Sequence, residues 1–118
     1  MAKPVYVSMT GLKLKRPWHI FKFFWFAGPA FSQARRAPGN ISVETRTITG
    51  IRHTLTVWEN KDAAAAYAHS GAHAKAVAVF NDIATGYIHG YETRRVPGWS
   101  DIPRMLKENG NDFGSGGY

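Results

Sequence analysis

Histidine has the clearest chemical use in this sequence, and His69 and His73 stand four residues apart. On one continuous helix this spacing would place two imidazoles side by side, as a zinc site requires. Ser70-Gly71 between them predicts a break in the helix, and no third ligand is evident, so the sequence disfavours a metal site. A neutral imidazole at His73 can orient a substrate oxygen, act as a general base or ligate haem iron, or it can form only a local bond at a helix start. We take His73 as the candidate catalytic residue.

Aromatic side chains are concentrated in one segment, in excess of what an ordinary amphipathic helix needs: Trp18, Phe21, Phe23, Phe24, Trp25, Phe26 and Phe31. Most of them are expected to form an aromatic core. Some would line a cavity between helix and sheet, which would hold a flat or polyene-like ligand by stacking and dispersion. The predicted substrate-binding residues are Phe24, Trp58 and Tyr91. Tyr91 would either close the pocket or pack against a partner subunit.

Apolar periodicity and the positions of Gly, Pro and Asn predict the elements that carry these side chains. The first half has a strand over 4–14, a helix from Pro17 to about Ala27, a kink or break at Gly28-Pro29 with a second helical piece to Arg36, a strand over 41–48, a turn at Thr49-Gly50 and a strand over 51–59. The second half has a helix capped by Asn60 or Asp62, a helix from Ala72 to about Ile83 capped by Ser70, a strand over 85–95 and a short helix over 102–108.

The order of these elements predicts an α+β protein of ferredoxin-like βαββαβ topology, with a four-stranded antiparallel sheet and its helices on one face. The chain of 118 residues is expected to form one domain over 1–108 and a disordered tail over 109–118, which holds four glycines. A second copy would cover the other sheet face. This predicts a homodimer with Val5, Val7, Ile41 and Val43 among the interface candidates.

The charge is unevenly distributed along the chain. The net charge is +7, and residues 1–43 carry seven Lys or Arg and no Asp or Glu. Such a basic half attracts nucleic acid, anionic lipid or an acidic ligand. Only Lys13-Leu14-Lys15-Arg16 forms a cluster. Val5-Tyr6-Val7 resembles the first-strand motif of RNA-recognition domains, but the strand over 51–58 lacks their base-stacking Gly-Phe-Gly-Phe pattern. The sequence therefore favours a basic surface over nucleic-acid binding.

Three features bound the chemistry and the location. The chain has no Cys, which excludes a disulfide scaffold, a thiolate metal site and a cysteine nucleophile. Its start shows no secretory signal, which predicts a cytoplasmic protein. The longest apolar stretch, Ile20 to Phe31, is interrupted by Lys22 and is shorter than the about 20 residues that a membrane span needs. Its aromatics surround the helix, which favours a buried helix over one lying on a membrane surface.

The run Thr54-Leu-Thr-Val-Trp58-Glu59, the Ala-rich helix with Tyr67 and the following Ser70-Gly71-Ala72-His73 resemble the dimeric α+β-barrel superfamily. This group includes antibiotic biosynthesis monooxygenases and relatives of spheroidene monooxygenase. The resemblance spans residues 4–95 in element order and 54–77 in motif. It implies a homodimer in which Trp58 and His73 occupy pocket positions.

The resemblance also implies a function. Members of the superfamily are cofactor-free oxygenases, haem enzymes or proteins without a known reaction. Haem-degrading members carry a first-strand asparagine that is missing here, and Val77 stands near the position of their histidine. We therefore predict no cofactor, with haem as the open alternative. The expected function is binding of a small apolar or aromatic ligand by a monooxygenase; the alternative is a non-catalytic binding protein.

Overall fold

The computed structural model describes residues 3–113. In chain order the elements are β1 (Val5–Leu14), α1 (His19–Arg36), β2 (Asn40–Ile48), β3 (Ile51–Trp58), α2 (Lys61–Ala68), α3 (Gly71–Ile83), β4 (Ala84–Thr93), α4 (Ile102–Asn109) and β5 (Asn111–Phe113). The first four strands and the helices between them follow the predicted order. The α+β ferredoxin-like topology is thereby confirmed.

The strands form one antiparallel sheet in the order β2-β3-β1-β4-β5. In the register of β1 and β3, Ser8 pairs with Thr56 and Thr10 pairs with Thr54. Because side chains alternate along a strand, these four polar residues share one face of the sheet. The neighbouring positions on β1, Val7 and Met9, lie on the opposite face. We call the face with Ser8 and Thr10 the inner face; the helices α1, α2 and α3 cover it. The face with Val7 and Met9 is the outer face.

The sheet has five strands where the sequence predicts four, because β5 pairs with β4. The predicted tail over 109–118 therefore differs from the structure at its beginning, and its last five residues lie outside the described residues. The sequence of β5 is too short to show a strand pattern. Phe113 packs on Gly86 of β4, where an added Cβ would come 2.8 Å from the phenyl ring. The missing side chain at position 86 creates the site that holds β5.

The outer face is not open as predicted, since α4 packs on it. Ile102 and Leu106 of α4 are fully buried against Val7, Met9, Leu55 and Val57. Burial of each of the two α4 side chains is worth about 1.5–3 kcal/mol. Of the predicted interface residues, Val7 is thus buried within its own chain. Val43 pairs with Thr56, which places it on the inner face.

Helix α1 continues through Gly28 and Pro29, where the sequence predicts a kink or a break, so the helix is not broken there. Its buried residues are Phe23, Ala27, Ala30 and Ala34, and they form one stripe that continues on both sides of the proline. Pro29 lacks the N–H that would bond to the carbonyl of Trp25, but the contacts of this stripe hold the two halves in one helix.

Most aromatic side chains of α1 do not form the predicted core. Phe23 is buried, whereas Trp18, Phe21, Phe24 and Trp25 are exposed. The positions that face the sheet are occupied largely by alanines, so the large rings fall on the other sides of the helix. The expected aromatic core is therefore wrong for these four residues.

The break between α2 and α3 is confirmed. Asn60 caps α2, since its Oδ1 accepts a hydrogen bond of 2.8 Å from the backbone N–H of Ala63. Ser70 stands before α3, and its hydroxyl donates to the carbonyl of Tyr67 at 2.5 Å rather than capping the new helix. Within residues 3–113, no helix has the length and hydropathy needed to cross a membrane.

Candidate functional site

A cavity of about 270 Å³ lies between the inner face of the sheet and the helices α1, α2 and α3. Short polar side chains of β1 and β3 form its floor: Ser8, Thr10, Thr54 and Thr56. Its roof is the buried stripe of α1. Phe31, Phe80 and Phe113 add apolar walls.

The cavity exists because small residues face each other across the gap. Ala27, Ala30 and Ala34 stand where larger side chains would normally fill the space between helix and sheet. The Ser and Thr side chains of the floor are too short to fill the gap to these alanines. The hydroxyl of Thr56 donates to the carbonyl of Ser8 at 3.3 Å and accepts from Trp58 Nε1 at 3.0 Å. The polarity of the floor is thus partly satisfied within the sheet.

Three ring side chains in contact with one another line the cavity. The ring of Trp58 stacks on that of Tyr67, with centroids 5.2 Å apart and planes inclined by 28°. The ring of Tyr67 contacts that of His73 at 4.8 Å and 59°. We call Trp58, Tyr67 and His73 the aromatic wall. Such a surface suits a flat apolar ligand, which it can hold by stacking.

Tyr67 ties the aromatic wall to the roof. Its hydroxyl donates a hydrogen bond of 2.6 Å to the carbonyl of Ala30 in α1. Burial raises the pKa of Tyr67 to about 12, so the phenol stays protonated at neutral pH. From the sequence, Tyr67 entered only as part of a motif and not as a site residue. The available signal was its place as the one ring in an otherwise Ala-rich helix.

His73 presents a neutral imidazole to the cavity. Its Nδ1 lies 3.1 Å from the carbonyl of Ala68. Because a carbonyl only accepts, Nδ1 carries the proton and Nε2 keeps a free lone pair. Burial lowers the pKa of His73, against a smaller opposing effect of the Ala68 hydrogen bond, and so favours this neutral form. The ring is thus prepared to accept a proton or a hydrogen bond.

Arg52 of β3 supplies positive charge to the cavity. It is the one Lys or Arg among the described residues that line it. Its guanidinium carbon lies 5.4 Å from the ring centroid of Phe23 and 5.0 Å from that of Phe24. These contacts place a cation near the wall formed by α1. Arg52 is not among the site residues predicted from the sequence, although the alternation along β3 puts it on the same face as Trp58.

The structure brings together two of the four predicted site residues, Trp58 and His73. Phe24 does not line the cavity: its side chain is exposed and borders a shallow groove beside it. Tyr91 pairs with Val7 and therefore lies on the outer face, where its ring stacks on His89 at 5.1 Å. Neither placement agrees with the predicted pocket. The roles of Trp58 and His73 stay predictions.

Two further features bear on metal binding. His69 directly follows α2 and does not line the cavity, so the helix break separates it from His73 as the sequence predicts. Among residues 3–113 there is no group of three or more His, Asp or Glu placed to hold one metal ion.

No protein-family model matches the chain, and no curated protein sequence matches it. Solved structures do. SnoaB, a cofactor-independent oxygenase from Streptomyces nogalater, matches with a TM-score of 0.65 and 11% identity over 80% of this chain and 97% of its own. An antibiotic biosynthesis monooxygenase matches with a TM-score of 0.63 and 12% identity over 77% and 99% of the two chains.

A third similar structure is a conserved protein of unknown function from Bacteroides thetaiotaomicron, described as a possible oxidoreductase. Its TM-score is 0.65 and its identity 14%, over 79% of this chain and all of its own. The chain therefore has the ferredoxin-like α+β fold of the antibiotic biosynthesis monooxygenases, as the resemblance of its sequence predicts.

Proposed function

We propose that the chain binds a flat, largely apolar aromatic molecule in the cavity, with an acidic group of that molecule at His73. The aromatic wall, in which a neutral imidazole continues two stacked rings, carries this proposal. The ligand would stack on the wall under the alanines of α1, and Arg52 would stabilise negative charge that develops on it. The volume of about 270 Å³ suits a small fused-ring compound.

The reaction that fits this arrangement is a monooxygenation that starts with proton abstraction. His73 Nε2 takes a proton from an activated CH₂ group between aromatic rings, and the carbanion reacts with dioxygen to a peroxide. The imidazolium returns its proton, and loss of water leaves a ketone. In sum, CH₂ and O₂ give C=O and H₂O, with all electrons supplied by the substrate. The fold is shared with SnoaB, a cofactor-independent oxygenase, which supports this reaction class.

Oxygen uptake with anthrone, a flat compound with such a CH₂ group, tests the proposal. We expect uptake above the spontaneous rate, and a loss of at least about tenfold in His73→Ala, since a general base contributes about 10²–10⁴-fold. His69→Ala is the matched control, because His69 lies outside the cavity, and it should keep full activity. Equal uptake by both variants would refute the catalytic role of His73.

Binding without turnover is the competing function, and 1-naphthol separates it from catalysis. Its binding should quench the fluorescence of Trp58, which is 1% exposed and part of the wall. Quenching that is lost in Trp58→Phe, together with no oxygen uptake from any fused-ring phenol or anthrone tested, would identify a binding protein.

Haem is a second candidate ligand because of one observation. A metal-ligating histidine usually donates its other ring N–H to a carbonyl or carboxylate, and His73 does so to Ala68. Bound haem would use Nε2 of His73 and supply redox chemistry at iron. The cavity volume of about 270 Å³ is slightly below the about 300–1,000 Å³ that is usual for small-molecule sites, which fits a smaller ring system better than a porphyrin. A Soret band after titration with hemin, lost in His73→Ala, would instead establish haem binding.

A further inference from the structure

Helix α1 and the residue directly before it expose large aromatic side chains that do not line the cavity. Trp18 is 64% exposed, Phe21 79% and Trp25 78%. At these positions a monomeric protein in water gains nothing from an aromatic ring, and a contiguous exposed apolar patch usually marks an interaction surface. We call Trp18, Phe21 and Trp25 the aromatic stripe.

The aromatic stripe consists of Trp18, directly before α1, and two residues on one side of the first half of α1. Its members are three and four residues apart, which places them on one line of the helix surface. The buried stripe with Phe23, Ala27, Ala30 and Ala34 lies on the opposite side and faces the sheet. The aromatic rings therefore project outward from the body of the protein, and the axis of α1 runs along its surface.

Positive charge lies next to the aromatic stripe. Lys15 and Arg16 precede α1 and are exposed, and exposed Lys22 lies within it. Segment 1–43 has no Asp or Glu. The guanidinium carbon of Arg16 lies 5.9 Å from the ring centroid of Trp18, so the cations begin directly beside the rings. Trp and Phe combined with Lys and Arg on an outward helix face are typical of helices that lie in a membrane interface.

We propose that the aromatic stripe docks the chain on an anionic lipid surface, with α1 parallel to the membrane plane and the rings inserted among the headgroups. Charge decides for lipid over a second copy of the chain. A two-fold contact between two aromatic stripes would bring the same three cations from each copy together, whereas anionic headgroups neutralise them. The inference is independent of the cavity and of the proposed reaction.

Flotation with lipid vesicles tests the docking. The protein should float with vesicles of phosphatidylcholine and phosphatidylserine and much less with phosphatidylcholine alone. The double variant F21S/W25S should lower the partition coefficient by at least about tenfold, or about 1.4 kcal/mol. Lys15→Gln together with Lys22→Gln should weaken binding to the anionic vesicles by about fivefold for each charge removed. Both pairs are exposed, so circular dichroism should show an unchanged fold.

Ile41→Ser is the matched control, because Ile41 is an exposed apolar residue (53%) on β2, outside the stripe. It should bind the anionic vesicles like the original chain. Three results would overturn the proposal: no flotation with anionic vesicles at low salt, flotation that F21S/W25S leaves unchanged, or a change of oligomeric state in F21S/W25S measured by light scattering without vesicles. The last would make the stripe an interface between copies. Single-stranded DNA binding that the stripe variant abolishes, without any vesicle binding, would equally reject lipid as the partner.

Discussion

A larger side chain in the cavity should stabilise the protein if the space is empty and destabilise it if helix and sheet are already in close contact. Ala34 is buried in the roof, and Ala34→Leu extends its side chain by three carbons into the space of about 270 Å³. At about 0.8 kcal/mol per buried carbon this is worth about 2.4 kcal/mol. Restricting the leucine costs about 0.5–1 kcal/mol. We therefore expect the free energy of unfolding to rise by about 1.5 kcal/mol, and Tm by roughly 4–6 °C.

Urea denaturation and thermal melting measure this change. Ala74→Leu is the matched control: Ala74 lies on the exposed side of α3, where the substitution should alter stability by less than about 0.5 kcal/mol. The same Ala34→Leu variant should lose 1-naphthol binding, because the added side chain occupies the ligand space. Destabilisation by about 1–3 kcal/mol, the usual result of overpacking a filled core, would refute the reasoning. The helix and sheet would then be in closer contact than the cavity requires.

Three further predictions concern Tyr67, the buried histidines and assembly. Tyr67→Phe removes the hydrogen bond to the carbonyl of Ala30 and should lower the free energy of unfolding by about 0.5–1.5 kcal/mol in urea denaturation, with ring stacking retained. Burial lowers the pKa of His53 and His73 from 6.5, so the unfolded chain binds protons more readily. The contribution of these histidines to the free energy of unfolding should be fully present above pH 6.5 and should decrease below it, by at most about 1.4 kcal/mol per pH unit for each histidine. The variant His73→Gln should reduce this slope when urea denaturation is measured at several pH values. We also expect a homodimer that uses the outer face around Tyr91, and a monomeric mass by light scattering at all micromolar concentrations would contradict it.

The sequence predicts the element order well because each element carries its own local signal. Alternation marks β1, Thr49-Gly50 marks the hairpin turn, and Asn60 marks the start of α2. The structure has the turn at the same place, with positive φ at Thr49 and Gly50. These signals depend only on residues that are close together in the sequence, so they can be recognised without knowing the tertiary structure.

The direction of the α1 side chains could not be predicted from ring content. Aromatic residues occur around the whole helix, and hydrophobicity therefore points to no single face. The useful signal was the spacing of Ala27, Ala30 and Ala34, because small residues mark the side that approaches another element closely. The alternation along β4 shows which residues share a face with Tyr91. Only the pairing of Tyr91 with Val7 shows that this face is the outer one.

The end of the chain illustrates a different limit. The covering of the outer face by α4 is a contact between residues far apart in sequence. Ile102 and Leu106 show that α4 has an apolar side. The residues near them in the sequence do not indicate that this side packs against Val7 and Leu55. The sequence therefore predicts an uncovered outer face. The position of β5 also depends on a contact that no local signal shows, since Phe113 packs where Gly86 has no side chain.

The proline in α1 affects how a ligand enters. Since Pro29 has no N–H, the hydrogen-bond ladder is interrupted between the half of the helix that carries the aromatic stripe and the half that contains Ala34. The second half is held by the bond from Tyr67 to Ala30, so we expect residues 19–28 to open as a separate unit with faster amide hydrogen exchange. Phe23 and Ala27 would leave the roof in that opening while the sheet stays folded. Attachment of the first half to lipid would then change the rate at which the cavity exchanges its contents.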